Sequence, residues 1–172
     1  MRLYSYVVEH DLGFAPNPFF GYCTLAACKP DIRKAAKEGD YIVGTGTKHN
    51  DMTYAILYWM RVTEILDIDN YWAEGRFRRK RPLMNGSVAQ QYGDNIYRSE
   101  IGEIVQIDSF HSQPNGVPDL ANILRDTGKT TRVLVSKQFA YYGVRARAIP
   151  EELHGFIKKR PGHRSNFDMQ PK

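Results

Sequence analysis

The chain lacks the long apolar runs that would place it across a membrane. No segment approaches the roughly 20 consecutive apolar residues of a membrane span, and the first residues, MRLYSYVVEHDLG, turn polar too early for a secretion signal. Only two cysteines occur in 172 residues, which argues against a disulfide scaffold and fits a reducing compartment. We therefore expect a single cytoplasmic domain with two free thiols and no membrane partner.

Sequence signatures of several enzyme classes are also absent. There is no Walker A loop, no G-x-G-x-x-G and no H-x-E…P-C-x-x-C deaminase pattern. The cysteines stand at the outer limit of zinc-pair spacing, and no second ligand pair follows them, so we expect no metal and no other cofactor. The residues considered as zinc ligands are Cys23, Cys28, His10, His49 and His111.

A thiol–imidazole enzyme nevertheless stays open as a hypothesis. Such a site needs a nucleophile, a base within hydrogen-bond reach and a third group that orients the base. Sequence spacing alone does not place these groups together. The candidates are Cys23 as nucleophile, His10 or His111 as base, and Asp11 or Asp94 as the orienting group.

Positive charge is concentrated in two places. The net charge is +5, and residues 158–172 alone carry +4. We expect residues 1–157 to form the domain and residues 158–172 to be a basic, disordered tail that adds salt-dependent affinity for nucleic acid. The second cluster is RFRRKR, which fits either a solvated turn or contacts to phosphates. The phosphate interpretation selects Arg76, Arg78, Arg79, Lys80 and Arg81.

The pattern of elements predicts an α+β domain. RLYSYVV, DYIVGTG, EIVQIDSF and TRVLVS are typical of strands, and MTYAILYWMRVTEIL favours one long bent strand. KPDIRKAAKEGD, PDLANILRD and PEELHGFIKK begin as helices do, with proline and acidic residues in the first turn. IDNYWAEG predicts a helical turn capped by Asp67 or Asp69. We expect a small curved or closed sheet flanked by short helices.

The stretch HDLGFAPNPFFGYCTLAACKP, residues 10–30, is aromatic although its prolines and glycines exclude a long helix or a central strand. It could line a pocket, where a ring stacks on a base at about 1–3 kcal/mol, or plug the end of a barrel. GDNIY at 93–97 could be a simple Asx-turn. We expect it instead to meet residues 14–22 around one pocket. The expected lining residues are His10, Asn17, Phe19, Phe20, Tyr22, Trp59, Asp94, Asn95 and Tyr97.

Two resemblances support this pocket. Over about residues 30–82, the order helix–GDYIVGTG–loop–AILYWMRVTEIL–NYW–RKRP resembles the PUA-like superfamily, which includes the EVE, YTH and ASCH domains. HDLGFAPNPFFGYCTLAACKPDIR, GDYIVGTG, GDNIY, SKQFAYYG and AIP resemble a bacterial and phage family called nucleotide modification associated domain, type two, over most of residues 1–150. The first resemblance implies a small PUA-like barrel that holds a flipped or single-stranded base. The second implies a link to modified nucleobases and identifies no catalytic residue.

The functional hypothesis is therefore recognition of a modified or flipped nucleobase in DNA, within a bacterial or phage base-modification system. The alternative is an enzyme of DNA-base or nucleotide modification that uses the same aromatic pocket, and a protein-interaction module is a third possibility. A nucleic acid or a modified nucleotide is the expected partner. A protein that only recognises a base needs a pocket of matching shape and hydrogen bonds to the base. An enzyme also needs a titratable group with a shifted pKa in a cleft.

Overall fold

A computed structural model describes residues 1–47, 52–158, 162–165 and 167 of the chain, which form three β-sheets and several short helices. The strands are β1 Leu3–Val7, β2 Cys23–Leu25, β3 Tyr41–Thr45, β4 Ala55–Arg61, β5 Glu64–Asp67, β6 Tyr97–Glu100, β7 Glu103–Gln106, β8 Arg132–Ser136, β9 Gln138–Tyr141, β10 Arg147–Ala148 and β11 His163–Arg164. The α-helices are α1 Pro30–Ala35, α2 Ile68–Ala73, α3 Val88–Gln91 and α4 Leu120–Thr127. Shorter 3-10 helices cover Gly75–Lys80, Pro114–Gly116, Gly143–Arg145 and Glu151–Phe156.

The largest sheet has the strand order β10-β4-β3-β1-β11, and β9 also pairs with β4. Its β1 and β3 are parallel, joined by a crossover that contains α1, as a parallel pair requires. The second sheet has the order β2-β8-β5, and β6 and β7 form an antiparallel hairpin.

Two apolar clusters hold these sheets together. The first packs α1 against the large sheet, with Ile32, Ile42 and Leu57 fully or almost fully buried. The second packs α2, the Gly75–Lys80 helix and the β6–β7 hairpin against the second sheet, and Phe77 and Val133 lie at its centre. The loop after β1 runs between the clusters, because Ala15 contacts both.

The predicted α+β class is confirmed. β1, β3, β7 and β8 lie in the segments predicted as strands, and α1, α2 and α4 lie in those predicted as helical. The side chain of Asp67 caps α2 by accepting a hydrogen bond from the Asn70 N–H. Residues 151–156, within a segment predicted to be a short helix, form a 3-10 helix.

The single long strand predicted over residues 52–66 is wrong. The chain changes sheet after β4, because the Val62 N–H donates to the Asp40 carbonyl and the Thr63 N–H donates to the Val135 carbonyl. β4 therefore belongs to the large sheet and β5 to the second sheet.

No closed barrel is formed by the strands that the structure describes, so the PUA-like barrel is not confirmed. Within residues 158–172, predicted to be a disordered tail, His163 and Arg164 pair with β1 as β11. Across the described ranges, no helix is both long enough and apolar enough to cross a membrane.

Candidate active site

The two segments predicted to meet around a pocket do lie together, but their polar side chains form a buried network. The Asn17 side-chain amide donates to the Tyr92 carbonyl at 3.0 Å. The hydroxyls of Thr24 and Tyr71 each donate to the Asp94 carboxylate at 2.7 Å. Asn17 and Asp94 are at most 1% exposed. Their hydrogen-bonding groups therefore join two parts of the fold and do not face a bound base.

Asn95 and Tyr97 are buried as well. The Asn95 side-chain amide donates to the Tyr71 carbonyl at 3.0 Å, which holds α2 against this loop. The Tyr97 hydroxyl donates to Asp126 at 2.9 Å. Neither side chain lines the cavity described below, although Tyr97 supports a residue beside it.

Lys80, expected to contact phosphate, is fully buried. Its ammonium group donates to the Asn17 carbonyl at 3.0 Å, to the Asn17 side-chain oxygen at 2.6 Å and to the Tyr22 carbonyl at 3.0 Å. Burial lowers the pKa of Lys80 to about 8, although the nearby Asp94 charge opposes this shift. Because its three N–H donors are occupied inside the fold, Lys80 connects the aromatic stretch of residues 10–30 to the Gly75–Lys80 helix.

The other four aromatic rings predicted for the pocket also lie elsewhere. Phe19 packs over Gly13, where an added Cβ would lie 2.5 Å from the Phe19 ring. Phe20 lies under Arg79, and Tyr22 packs its edge on Phe77. Trp59, on β4, contacts Tyr41 across the strands. In the described part of the chain, none of these four rings lines the cavity.

A cavity of about 350 Å³ does exist, at the end of β1. This volume is within the usual range of small-molecule sites. Tyr6, Phe14 and Phe110 supply aromatic walls, and His10, the one predicted pocket residue found here, lies at the same cavity. The aromatic stretch thus does line a cavity, through Phe14 and not through the rings that follow it.

Cys28, His111 and Asp126 form a chain of polar contacts beside this cavity. The Cys28 Sγ lies 3.8 Å from His111 Nε2, and His111 Nδ1 lies 2.9 Å from an Asp126 carboxylate oxygen. With Nδ1 donating to the carboxylate, Nε2 is left as an acceptor toward the thiol. This is the nucleophile–base–orienting group order of cysteine enzymes, in which such distances often tighten when substrate binds.

The backbone at Cys28 is strained. Cys28 has φ 57° and Lys29 has φ 43°, in the left-handed region that few non-glycine residues adopt. The turn follows β2 and leads directly into α1, which begins at Pro30. A strained turn between a strand and a helix presents a nucleophile in other enzymes, and such strain is concentrated at functional sites.

Buried Arg33 holds this turn in place. Its guanidinium donates to the carbonyls of Cys28 at 3.3 Å, Asp126 at 2.8 Å and Arg132 at 2.7 Å. The Cys28 N–H in turn donates to the Asp126 carboxylate at 3.0 Å. Cys28 and the Asp126 carboxylate are therefore fixed to one another through both backbone and side chain.

The surroundings of the site shift the pKa values of Asp126 and Cys28 in opposite directions. Burial alone would raise the pKa of Asp126, but hydrogen bonds from His111 and Arg125 bring it down to about 2. Burial, reinforced by the Asp126 charge, raises the pKa of the Cys28 thiol to about 11, although nearby cations partly oppose it. At neutral pH the carboxylate is charged and the resting thiol is protonated.

The same three side chains could hold a metal ion, since their ligand atoms lie within 4.8 Å of one another. The Arg125 guanidinium lies 3.0 Å from one Asp126 oxygen and 3.1 Å from His111 Nδ1. A fixed cation at this position opposes a second cation, so the site fits proton transfer better than metal binding.

The sequence-based hypothesis of a thiol–imidazole pair named Cys23, whereas the structure places Cys28 beside His111. Cys23 is fully buried, its sulfur lies 3.8 Å from the Met60 sulfur, and burial raises its pKa. The sequence assigns Asp126 no role in the site, because its segment indicates only a helix. His49 lies outside the described residues.

Comparison with known proteins identifies a family. The family model described as nucleotide modification associated domain 2 matches residues 1–171. No curated protein matches the chain, and no solved structure matches it either.

Proposed function

We propose that this chain, which belongs to the nucleotide modification associated domain 2 family, is an enzyme that acts on a nucleobase or nucleotide through a covalent intermediate on Cys28. The family's name ties the chain to nucleotide modification. The observation that carries the proposal is the alignment of the Cys28 thiol, His111 and Asp126, with separations of 3.8 and 2.9 Å, beside a cavity with aromatic walls.

The geometry supports addition followed by elimination at a carbonyl-type or amidine-type carbon. The Cys28 sulfur forms a bond to that carbon while its proton passes to His111 Nε2, and the electron pair of the attacked double bond moves to oxygen or nitrogen. The double bond then re-forms and the leaving group departs with the proton from His111. Water, activated by the same imidazole, hydrolyses the thio-linked intermediate and restores the thiol. Asp126 stabilises the imidazolium in both steps.

The raised pKa of Cys28 defines the role of His111. A thiol with a pKa of about 11 holds little thiolate at neutral pH, and the thiolate is the nucleophile. His111 must therefore accept the proton as the sulfur attacks. Positioned acid–base groups of this kind contribute about 10²–10⁴-fold to rate.

Recognition of a modified or flipped nucleobase without chemistry is the second candidate. It is favoured by the rings of Phe14 and Phe110, which lie 5.8 Å apart between centroids at the cavity and offer a stacking surface. The volume of the cavity suits one base and not several. The recognition candidate uses the same cavity and needs no reactive thiol.

The two candidates are separated by one set of assays on wild type, Cys28→Ser and His111→Gln. Each protein is incubated with a panel of modified nucleosides, nucleotides and short oligonucleotides, and intact-protein mass and substrate products are followed. We expect product with wild type, a transient adduct that maps to Cys28, and loss of both in Cys28→Ser. Buried Cys23 serves as the internal control, because it should carry no adduct.

Binding without turnover, equally strong in Cys28→Ser, would support recognition and reject the enzyme. Turnover that survives in Cys28→Ser would reject the covalent step. His111→Gln should lower turnover at least 100-fold while leaving binding within a few-fold, since it removes proton transfer and keeps the volume of the side chain.

A further inference from the structure

A group of arginines stacked on aromatic rings lies along the Gly75–Lys80 helix and the strand β6. The Arg79 guanidinium lies 4.4 Å from the Phe20 ring centroid. Those of Arg81 and Arg98 lie 3.8 and 4.9 Å from the Trp72 centroid. We name this group the arginine–aromatic surface, and its members are Phe20, Trp72, Arg78, Arg79, Arg81 and Arg98.

The positive charge of this surface is largely uncompensated. Among the described residues, no carboxylate lies within ion-pair distance of Arg78, Arg79 or Arg81, and Arg98 pairs with Glu100 alone. Partial burial lowers the pKa of Arg81, and the neighbouring charges of Arg78 and Arg98 lower it further. The guanidinium groups thus repel one another, and a bound anion would relieve this repulsion.

Arg76 shows the opposite arrangement on the same helix. Its guanidinium lies in ion pairs with Glu64 and Glu74. These hydrogen bonds raise its pKa. Of the five cations predicted to contact phosphate, Arg76 and Lys80 are therefore occupied inside the protein. Arg81 donates one hydrogen bond to the Trp72 carbonyl at 2.5 Å, and Arg78 and Arg79 are available.

The pairing of guanidinium groups with rings favours a single strand over a duplex. Guanidinium groups bind phosphate oxygens in a bidentate manner, and both their planes and aromatic faces stack on unpaired bases. A duplex hides its base faces in the stack and offers only its backbone and groove edges, on which rings cannot stack. Phe20 and Trp72 are both partly exposed, as stacking requires.

Direct contacts connect this surface to the wall of the cavity. Gly93 packs so closely on the backbone of Lys80, Arg81 and Pro82 that an added Cβ would lie 2.3 Å from the Lys80 carbonyl oxygen. Its neighbour Tyr92 contacts the ring of Phe110, which lines the cavity, with 5.0 Å between centroids.

We propose that the arginine–aromatic surface binds single-stranded nucleic acid and presents one nucleotide of the strand to the cavity. Binding by the surface stands on the charges and rings described above. Presentation of a nucleotide to the cavity rests on the proposed function.

The test is a titration of a fluorescent oligothymidine of about 12 nucleotides, its oligouridine counterpart and a hairpin duplex, at two salt concentrations. The main variant is Arg78→Ala with Arg79→Ala, since neither side chain makes a hydrogen bond within the described ranges, so folding should be retained. The matched control is Arg145→Ala with Arg147→Ala. It removes the same charge from two exposed arginines, one of which lies over the Tyr142 ring.

We expect the Arg78/Arg79 variant to lose roughly tenfold or more in affinity for single strands at low salt. The salt slope should fall by about 1.4, which corresponds to two lost phosphate contacts. Trp72→Leu should weaken binding by about 5- to 100-fold at both salt concentrations, as the loss of one stacked base predicts. The control pair should stay within about threefold of wild type.

An equal loss of affinity in the Arg145/Arg147 control would show that the effect arises from net charge alone, and it would overturn the proposal. Duplex bound as tightly as single strand would also overturn it. Binding by Cys28→Ser should equal that of wild type, so a failure of the proposed chemistry leaves this titration unaffected. Oligothymidine and oligouridine distinguish DNA from RNA as the source of the strand.

Discussion

Asp126 is the residue on which the candidate site depends most. Its carboxylate accepts hydrogen bonds from His111, Tyr97, Arg125 and the Cys28 N–H. Burial would raise the pKa of this carboxyl, but the hydrogen bonds and charges of His111 and Arg125 bring it down to about 2. The same contacts orient the imidazole, so the proposed catalysis and the stability of the fold depend on one side chain.

This pKa shift predicts an acid-sensitive contribution to stability. The folded pKa, about 2, lies below the ordinary value of 3.8, so the unfolded chain binds the proton more readily. The contribution, about 2 kcal/mol, is therefore complete above pH 4 and is lost as the pH falls toward 2. Asp126→Asn should lower the free energy of unfolding at pH 7 and flatten its decrease between pH 4 and 2, as measured by urea denaturation.

Asp31→Asn is the control for this prediction. Asp31 forms an exposed ion pair with Lys129, and such pairs contribute about 0–1 kcal/mol. If Asp126→Asn were as stable as Asp31→Asn both at pH 7 and between pH 4 and 2, the hydrogen bonds to Asp126 would make no net contribution to the free energy of unfolding.

At the scale of elements, the close approach of Gly93 to the Gly75–Lys80 helix joins the polar network to the arginine–aromatic surface. The Asn95 N–H also donates to the Lys80 carbonyl at 3.1 Å. Residues 80–82 and 93–95 are thus held backbone against backbone, which only a residue without a Cβ permits.

Gly93→Ala should therefore be strongly destabilising. Its Cβ would lie 2.3 Å from the Lys80 carbonyl oxygen and 2.7 Å from the Pro82 nitrogen. Both are backbone atoms, which cannot move without displacing the helix. We expect a loss of about 2 kcal/mol or more in the free energy of unfolding, measured by thermal and urea denaturation.

Gly75→Ala is the matched control on the same helix, because nothing lies within 4 Å of its added Cβ. It should be neutral or stabilise by about 0.5 kcal/mol, through the smaller entropy of the unfolded chain. A Gly93→Ala protein as stable as Gly75→Ala would contradict the close packing.

At the scale of the whole molecule, the C-terminal segment completes the large sheet. Ser5 pairs with Arg164 and Tyr6 with His163, and the Lys158 N–H donates to the Ser5 hydroxyl at 3.1 Å. The sequence predicts that removal of residues 158–172 leaves stability unchanged. The pairing of β11 with β1 alters this expectation.

Truncation after Ile157 should lower the free energy of unfolding by about 1–2 kcal/mol, since it removes these hydrogen bonds and exposes the edge of β1. Truncation after Phe167 keeps β11 and should leave the melting temperature within about one degree of wild type. Calorimetry on both proteins checks this. Equal melting temperatures would show that β11 contributes nothing to stability.

Salt-dependent binding of nucleic acid by residues 158–172 stays a prediction, tested by titrating the same two proteins with nucleic acid.

Features that depend on neighbouring residues along the chain could be predicted from the sequence. A composition rich in strand-forming residues located β1 and β3, and Asp67 or Asp69 marked the start of α2. The order of short motifs assigned the chain to its family, which the match over residues 1–171 confirms. Local signals suffice for these features because strand propensity, helix caps and family motifs act within a few residues.

The residues of the candidate site could be identified only from the packing of distant elements. Cys28 and His111 are 83 positions apart, and neither residue has a local signature that separates it from Cys23 or His10. The same holds for Lys80, which is buried among four exposed or partly exposed arginines of one cationic run. Side chains become partners through the packing of distant elements, and burial determines whether a charged group binds a ligand or supports the fold. Neither the packing of distant elements nor the burial of a side chain can be deduced from composition and spacing.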